Sequence, residues 1–167
     1  PPAVVTVHDL TFFDHPEWHE RSKVAFFRRA IRASATKARV LVTPSTITAA
    51  RLRELIDPVA DIVTIPHGVD HERFRPDASA EASDLDALRH IGVRPPYVAF
   101  AGTLEPRKDV PTLVDAFARI AAGHPDLRLV LAGGDGWGAT DIRRAVEDSG
   151  VTTRIVRPGY IDDDTLP

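Results

Sequence analysis

The densest chemistry in the chain lies in Gly102-Thr103-Leu104-Glu105-Pro106-Arg107-Lys108, between a β-rich run at 97–101 and an amphipathic segment from Val110. A glycine directly after a strand lets a ligand come close to the backbone. Arg107 and Lys108 put two cations at a helix entrance, where the helix dipole disfavours positive charge. An anion held there would reverse that penalty. The chain has three lysines against eighteen arginines, so composition alone does not supply Lys108. An exposed turn with its cations paired to Glu105 or Asp109 is the plain alternative, and we favour function.

Three other turns carry candidate residues. Gly133-Gly134-Asp135-Gly136-Trp137-Gly138-Ala139 follows an apolar run and satisfies a G-x-G-x-x-G/A pattern from Gly134 to Ala139. The acid expected after the next strand is replaced by Arg157-Pro158, and Trp137 crowds the loop. A glycine-rich turn feeding a helix explains the stretch as well as phosphate contact does. His8 ends the first β-rich run, where it could donate to a phosphate or a sugar hydroxyl or be a satisfied structural residue, while Asp9 could cap the next segment. Pro66-His67-Gly68 suits a sharp turn, and we assign His67 a structural role.

The elements that must position these turns alternate. Residues 3–7, 39–42, 62–65, 97–101, 127–132 and 154–156 read as strands. Helical patterns occupy 17–38, 46–56 behind a Ser45 cap, 85–91, 110–122 and 139–149. Strands alternating with helices of this length predict an α/β fold of parallel sheets covered on both faces. Such sheets bind ligands beyond the carboxyl ends of their strands. The Asp-, Pro-, Ala- and Ser-rich segment 70–84 reads as a linker between two Rossmann-like lobes, 1–69 and 85–167.

Composition excludes several classes. The 167 residues contain no cysteine, so disulfides, thiolate metal sites and cysteine nucleophiles are out. No apolar run approaches the ~20 residues of a membrane span, and the first residues lack a signal-peptide pattern. No phosphate loop, nucleophile elbow or H-E-x-x-H is present. Asp162-Asp163-Asp164 reads as helix N-terminal charge, with a metal cage as the alternative. Residues 21–53 hold nine bases and no acid within a chain of net charge −3. A solvated helix face explains that stretch; the sharper reading is contact with anionic lipid head groups or with an anionic substrate. Nucleic acid is not expected, because basic and aromatic residues do not interleave. The chain lacks methionine, and we expect a piece of a longer protein.

The strings VTVHDLTFF, VTPSTITAARL, TIPHGVDHERFRP, AFAGTLEPRKDVPTLVDAFARI, LRLVLAGGDGWG and RPGYIDDDTLP resemble, in order and spacing, the middle of a family-4 glycosyltransferase. The resemblance covers essentially the whole chain, and the GTLEPRKD…LVDAF block is its most specific part. It implies the GT-B architecture, with two Rossmann-like lobes and a donor bound mainly by the second. It implies retaining transfer of a hexose from a nucleotide diphosphate sugar, either GDP-mannose or a UDP-sugar, to a glycan or lipid-linked acceptor. The mannosyltransferase subgroup is the most similar. No cofactor or metal is expected, and the enzyme would work in the cytoplasm, peripherally at the inner membrane face.

By the same resemblance, Lys108 and Arg107 match the basic pair that holds the donor diphosphate. Gly102 and Thr103 match the turn beside it, Thr103 standing where some relatives carry arginine. From the glycine-rich turn after a strand we assign Gly133 and Gly134 to the donor site as well. The resemblance matches His8 to a first-lobe histidine over the donor sugar, and Gly159, Tyr160 and Ile161 to a segment that meets the nucleobase. The chain stops before the family's E-x7-E segment, so we expect the piece alone to be inactive. Other readings are a non-catalytic nucleotide-sugar-binding module, a nucleotide-sugar epimerase, and a nicotinamide-dependent oxidoreductase resting on the Gly134 pattern.

Overall fold

A computed structural model describes residues 3–74 and 82–162. The chain divides into two compact units, 1–70 and 71–167. Each is built on a three-stranded parallel sheet, as the alternation predicts.

In the first unit β1 (Val4–Thr6), β2 (Val40–Thr43) and β3 (Asp61–Thr64) lie side by side with β2 in the middle. Parallel neighbours need a crossover. Here α1 (Thr11–Asp14) and α2 (Arg21–Lys37) make the first crossover, and α3 (Thr46–Ile56) the second. Register aligns Val5, Leu41 and Ile62 in one row, and that row packs against Leu10, Ile31, Ala35, Leu52 and Leu55. Neighbouring Val63 on the next row is 44% exposed. Among the described residues the helices thus cover one face of this sheet, where coverage of both was expected.

Two boundaries in this unit depart from the sequence pattern. A helix was expected from residue 17, yet Pro16–Trp18 forms a single 3-10 turn and α2 starts at Arg21. Tertiary contacts override helix propensity here: the Trp18 ring stacks on His15 at 3.8 Å, and the His19 ring on Phe12 at 4.0 Å. His19 Nε2 also lies 2.9 Å from Thr11 Oγ1. At α3 the local signals prevail. Ser45 Oγ accepts the Thr48 N–H at 3.0 Å, and the helix closes on left-handed Asp57, just before Pro58.

The first helix of the second unit is α4 (Ala82–His90), so helix already occupies the end of the segment expected to be linker. Composition does not separate a linker from a helix's first turn. Residues 75–81 of that segment lie outside the described residues. The sheet runs β4 (Tyr97–Ala101), β5 (Arg128–Ala132), β6 (Ile155–Gly159). From one face Leu129 and Leu131 meet Val110, Val114, Phe117 and Ala121 of α5 (Val110–Ala121), with Ile142 and Val146 of α6 (Ala139–Asp148). From the other face Val130 and Ala132 meet Leu88, Ile91, Val93 and Ile161.

Strand β6 continues through Pro158 and Gly159, past the expected end at residue 156. Proline cannot donate to a ladder, and an irregular register accommodates it. Val130 pairs with Val156, but Ala132 pairs with Gly159. The first strand of this unit and α5 start where the sequence places them.

Candidate functional site

The three strands of the second unit end side by side, and hydrogen bonds tie the turns beyond them. Gly102 N–H donates to Ala132 O at 2.9 Å, and Gly133 N–H donates to Gly159 O at 2.7 Å. Gly102, Gly133 and Gly159, which come from three separate sequence blocks, therefore form one edge. Leu104 is fully buried and anchors the first turn in the core. Its N–H donates to Gly134 O and its carbonyl accepts from Gly136 N–H, both at 3.0 Å.

Much of the glycine pattern is explained by this contact between loops. A Cβ on Gly133 would stand 2.0 Å from Gly102 O, and its φ of +140° already disfavours a side chain. At Gly136 a Cβ would meet Thr103 Cγ2 at 3.0 Å and Leu104 O at 3.1 Å. The position that the dinucleotide pattern reserves for pyrophosphate approach is thus occupied by the β4 turn. Gly134 differs, because nothing lies within 4 Å of where its Cβ would be.

After Leu104 the chain turns through Pro106–Lys108 as 3-10 and reaches Asp109 in a left-handed conformation before α5 begins. The cations therefore precede the helix in a turn of their own. Thr112 Oγ1 donates to Asp109 Oδ1 at 2.9 Å. Arg107 pairs with Glu105, the partner suggested by sequence. Lys108 and Thr103 are exposed, and the Lys108 side chain makes no ion pair or hydrogen bond among the described residues.

The next loop holds a charge cluster that the sequence pattern does not announce. Asp135 accepts from Arg157 Nη2 at 2.6 Å through one oxygen and from Arg143 Nη1 at 2.8 Å through the other. Arg157 Nε is buried without a partner. In the sequence Arg157 stands out only as a replacement for an expected acid. Its link to Asp135 spans 22 residues, beyond the reach of any local motif. Beyond β6, Tyr160 is 80% exposed while Ile161 packs onto the small core cluster beneath.

In the first unit His8 follows β1 and is exposed. Its ring stacks on His67, with centroids 5.4 Å and planes 22° apart. Asp9 acts locally, accepting the Thr11 N–H at 3.1 Å and the Thr11 hydroxyl at 2.6 Å. The basic stretch 21–53 proves partly self-engaged. Arg28 Nε donates to Phe12 O at 2.7 Å, and the Arg32 guanidinium lies 5.0 Å from the Phe13 ring centroid. Lys23 pairs with Glu20, and Arg51 with Asp14 and Glu54, all three acids lying just outside the stretch. The hydrogen bond from Arg51 holds the Asp14 carboxyl below its usual range. On α2, Phe27 is 38% exposed and Phe26 is 66% exposed.

Among the described residues no three histidine or acidic side chains cluster as a metal site, and no helix is long and apolar enough to cross a membrane. Asp163 and Asp164 of the acidic run lie outside the described residues.

Residues 1–73 match the family model for Glycosyltransferase Family 4, and residues 88–167 match that for Glycosyl transferases group 1. The chain is 27% identical over 167 residues to the O-antigen chain mannosyltransferase B of Escherichia coli, spanning 99% of this chain and 43% of that protein. It is 33% identical over 140 residues to a GDP-mannose-dependent alpha-(1-6)-phosphatidylinositol monomannoside mannosyltransferase of Mycobacterium tuberculosis, spanning 84% and 36%. The chain thus spans about two fifths of the length of these relatives. The structure of Anabaena HepE in complex with UDP and glucose superposes with a TM-score of 0.71 at 20% identity, over 97% of this chain and 42% of that one. Its fold is therefore shared. With both units matched by glycosyltransferase family models and the fold shared with that solved structure, the chain belongs to the GT-B glycosyltransferases.

Proposed function

We propose that the protein transfers a hexose, mannose from GDP-mannose in the first instance, to a glycan or lipid-linked acceptor with retention of configuration. The observation that carries this reading is Lys108, an exposed cation without an acidic partner on the turn after β4, whose backbone is bonded to the end of β5 and the loop beyond it. Breaking a glycosyl–phosphate bond leaves negative charge on the diphosphate. A preorganised cation stabilises that charge as it develops. Arg107 joins Lys108 once the donor draws it from Glu105. Gly102, Thr103, Gly133 and Gly134 line the diphosphate side, and Gly159, Tyr160 and Ile161 take the base.

His8 of the first unit serves the donor sugar. No carboxylate nucleophile is assigned, because the departing phosphate helps to deprotonate the acceptor. The basic pair meets the leaving charge, so no metal is required. The mannose assignment draws on the relatives, which are named as mannosyltransferases, several of them GDP-mannose-dependent.

We further assign a peripheral contact with anionic lipid, on the cytoplasmic face, to the outward side of α2. That helix carries six bases, no acid and the exposed Phe26. Aromatic and basic residues together suit a membrane surface.

The test is turnover by the full-length protein of GDP-mannose beside UDP-glucose, UDP-N-acetylglucosamine and NAD, with and without EDTA, followed by the anomeric configuration of the product. EDTA-resistant turnover of GDP-mannose with a retained anomer is expected. Turnover of NAD alone, or of no sugar nucleotide, refutes the reading, and an inverted anomer refutes its stereochemistry.

A further inference from the structure

The first unit holds a second histidine whose placement the proposed reaction does not use. β1 and β3 flank β2, and each is carried past its last paired residue by one more bond to it. Val7 N–H donates to Val42 O and Ile65 N–H donates to Thr43 O, both at 2.8 Å. Beneath them the fully buried Thr43 hydroxyl lies 3.3 Å from that of Thr64. His8 follows one of these tied segments directly, and His67 follows the other by two residues. The two rings stack across the end of the sheet at 5.4 Å. Both are exposed, and neither ring makes a hydrogen bond or ion pair among the described residues.

Stacking fixes the plane of an imidazole without using its nitrogens. A histidine that must meet a sugar hydroxyl needs that combination, a set ring with both nitrogens open. A hydrogen bond from the protein would hold the ring too, but it would occupy one of them.

We infer that His67 is a positioning residue, whose ring sets the orientation in which the His8 imidazole meets the donor sugar. The inference rests on the proposed role of His8. His67 touches no reacting atom and acts through its neighbour.

Hydrolysis of GDP-mannose by the full-length protein tests it, with His67→Ala, His67→Phe, His8→Ala and the His8→Ala/His67→Ala pair. Loss of one aromatic contact predicts a fall of about 3- to 10-fold in kcat for His67→Ala, with KM for GDP-mannose within about twofold. His67→Phe, which keeps a flat ring, returns kcat to within about twofold of the starting protein. The pair is no slower than His8→Ala alone, because the effect passes through His8.

Ligand-free NMR gives a second readout. The ring-proton shifts of His8 move in His67→Ala, where the neighbouring ring current is lost. Unchanged His8 shifts, unchanged kcat, equal damage from Ala and Phe, or effects that multiply in the pair overturn the inference. If His8→Ala leaves hydrolysis untouched, or the unsubstituted protein hydrolyses no GDP-mannose, the role of His8 itself falls and takes the inference with it.

Discussion

Replacing Arg154 with methionine separates the hydrogen bonds of this residue from its bulk. The guanidinium sits below the last turn of α5 and binds three carbonyls there. Nη1 donates to Ala121 O at 2.7 Å, Nε and Nη2 donate to Leu127 O at 3.0 and 2.6 Å, and Nη2 also donates to His124 O. The cation also lies 5.6 Å from the Phe117 ring centroid. Helix C-termini leave their last carbonyls without intrahelical partners, and a cation there also meets the negative end of the helix dipole. A charge-assisted bond contributes about 1.5–3 kcal/mol net. Water can replace the donor at the exposed His124 carbonyl, so only the Ala121 and Leu127 carbonyls are counted, at the lower end of that range. They give about 3 kcal/mol, and the ring contact adds about 0.5 kcal/mol. Methionine keeps the aliphatic stem and loses every donor. Urea unfolding followed by Trp137, with Trp18 replaced by phenylalanine, reads the second unit by itself. With a slope of about 1–3 kcal/mol per molar urea, the midpoint should fall by about 1–3 M. Arg154→Lys should recover less than half, since one ammonium cannot span three carbonyls. A loss below about 1 kcal/mol for methionine, or full recovery by lysine, refutes the argument.

Lys108→Ala should lower kcat/KM for the sugar nucleotide about 30- to 300-fold, with most of the loss in kcat, since the contact strengthens only as the diphosphate departs; steady-state kinetics check it. Gly133→Ala should destabilise the second unit by about 2–5 kcal/mol, from left-handed backbone strain and collision with the Gly102 carbonyl, measured by the same urea titration. Asp14→Asn should cost less than about 1 kcal/mol near neutrality, because the pair with Arg51 is exposed. Since folding lowers the Asp14 pKa from its ordinary 3.8, the contribution is present above that value and is lost as pH falls through the folded one; the difference between the two proteins should vanish in acid.

How legible each element is in the sequence depends on the range of its signal. Helix α3 begins and ends as read, because a Ser45 cap and an Asp57-Pro58 stop act within one turn. Strand β4 and the start of α5 are equally local. The start of α2 was misplaced because ring stacks on Phe12 and His15 hold Trp18 and His19 outside the helix. The end of β6 was misplaced because proline looks like a terminator until a register shift absorbs it. Glycines after strands could be placed at strand ends from sequence. That Gly102, Gly133 and Gly159 share one edge depends on the order β4-β5-β6, which no local pattern contains. The His8–His67 stack and the Asp135–Arg157 pair join distant segments and were invisible for the same reason.

Electrostatics along that edge argue more strongly for an anionic ligand than the glycines do. Gly133 and Gly136 are accounted for by the close approach of the β4 turn, so counting glycines adds little. The arginines are also largely accounted for: Arg107 meets Glu105, while Arg143 and Arg157 share Asp135. Among the described residues of these three loops, Lys108 is the cation that no acid meets. It stands just before a helix, in a turn whose backbone is tied to the loop after β5. An unmatched cation costs little in water, so its presence alone proves nothing. The surrounding neutralisation makes it informative. A loop cluster that pairs its other cations internally has little remaining charge with which to attract an anion non-specifically. Binding must then pass through Lys108, or through displacement of a carboxylate from an arginine, and Glu105 on Arg107 is the nearer of the two in sequence. Glu105→Gln should therefore strengthen binding of GDP alone, measured by calorimetry, by freeing Arg107; unchanged or weakened binding would show that the anion does not approach this turn.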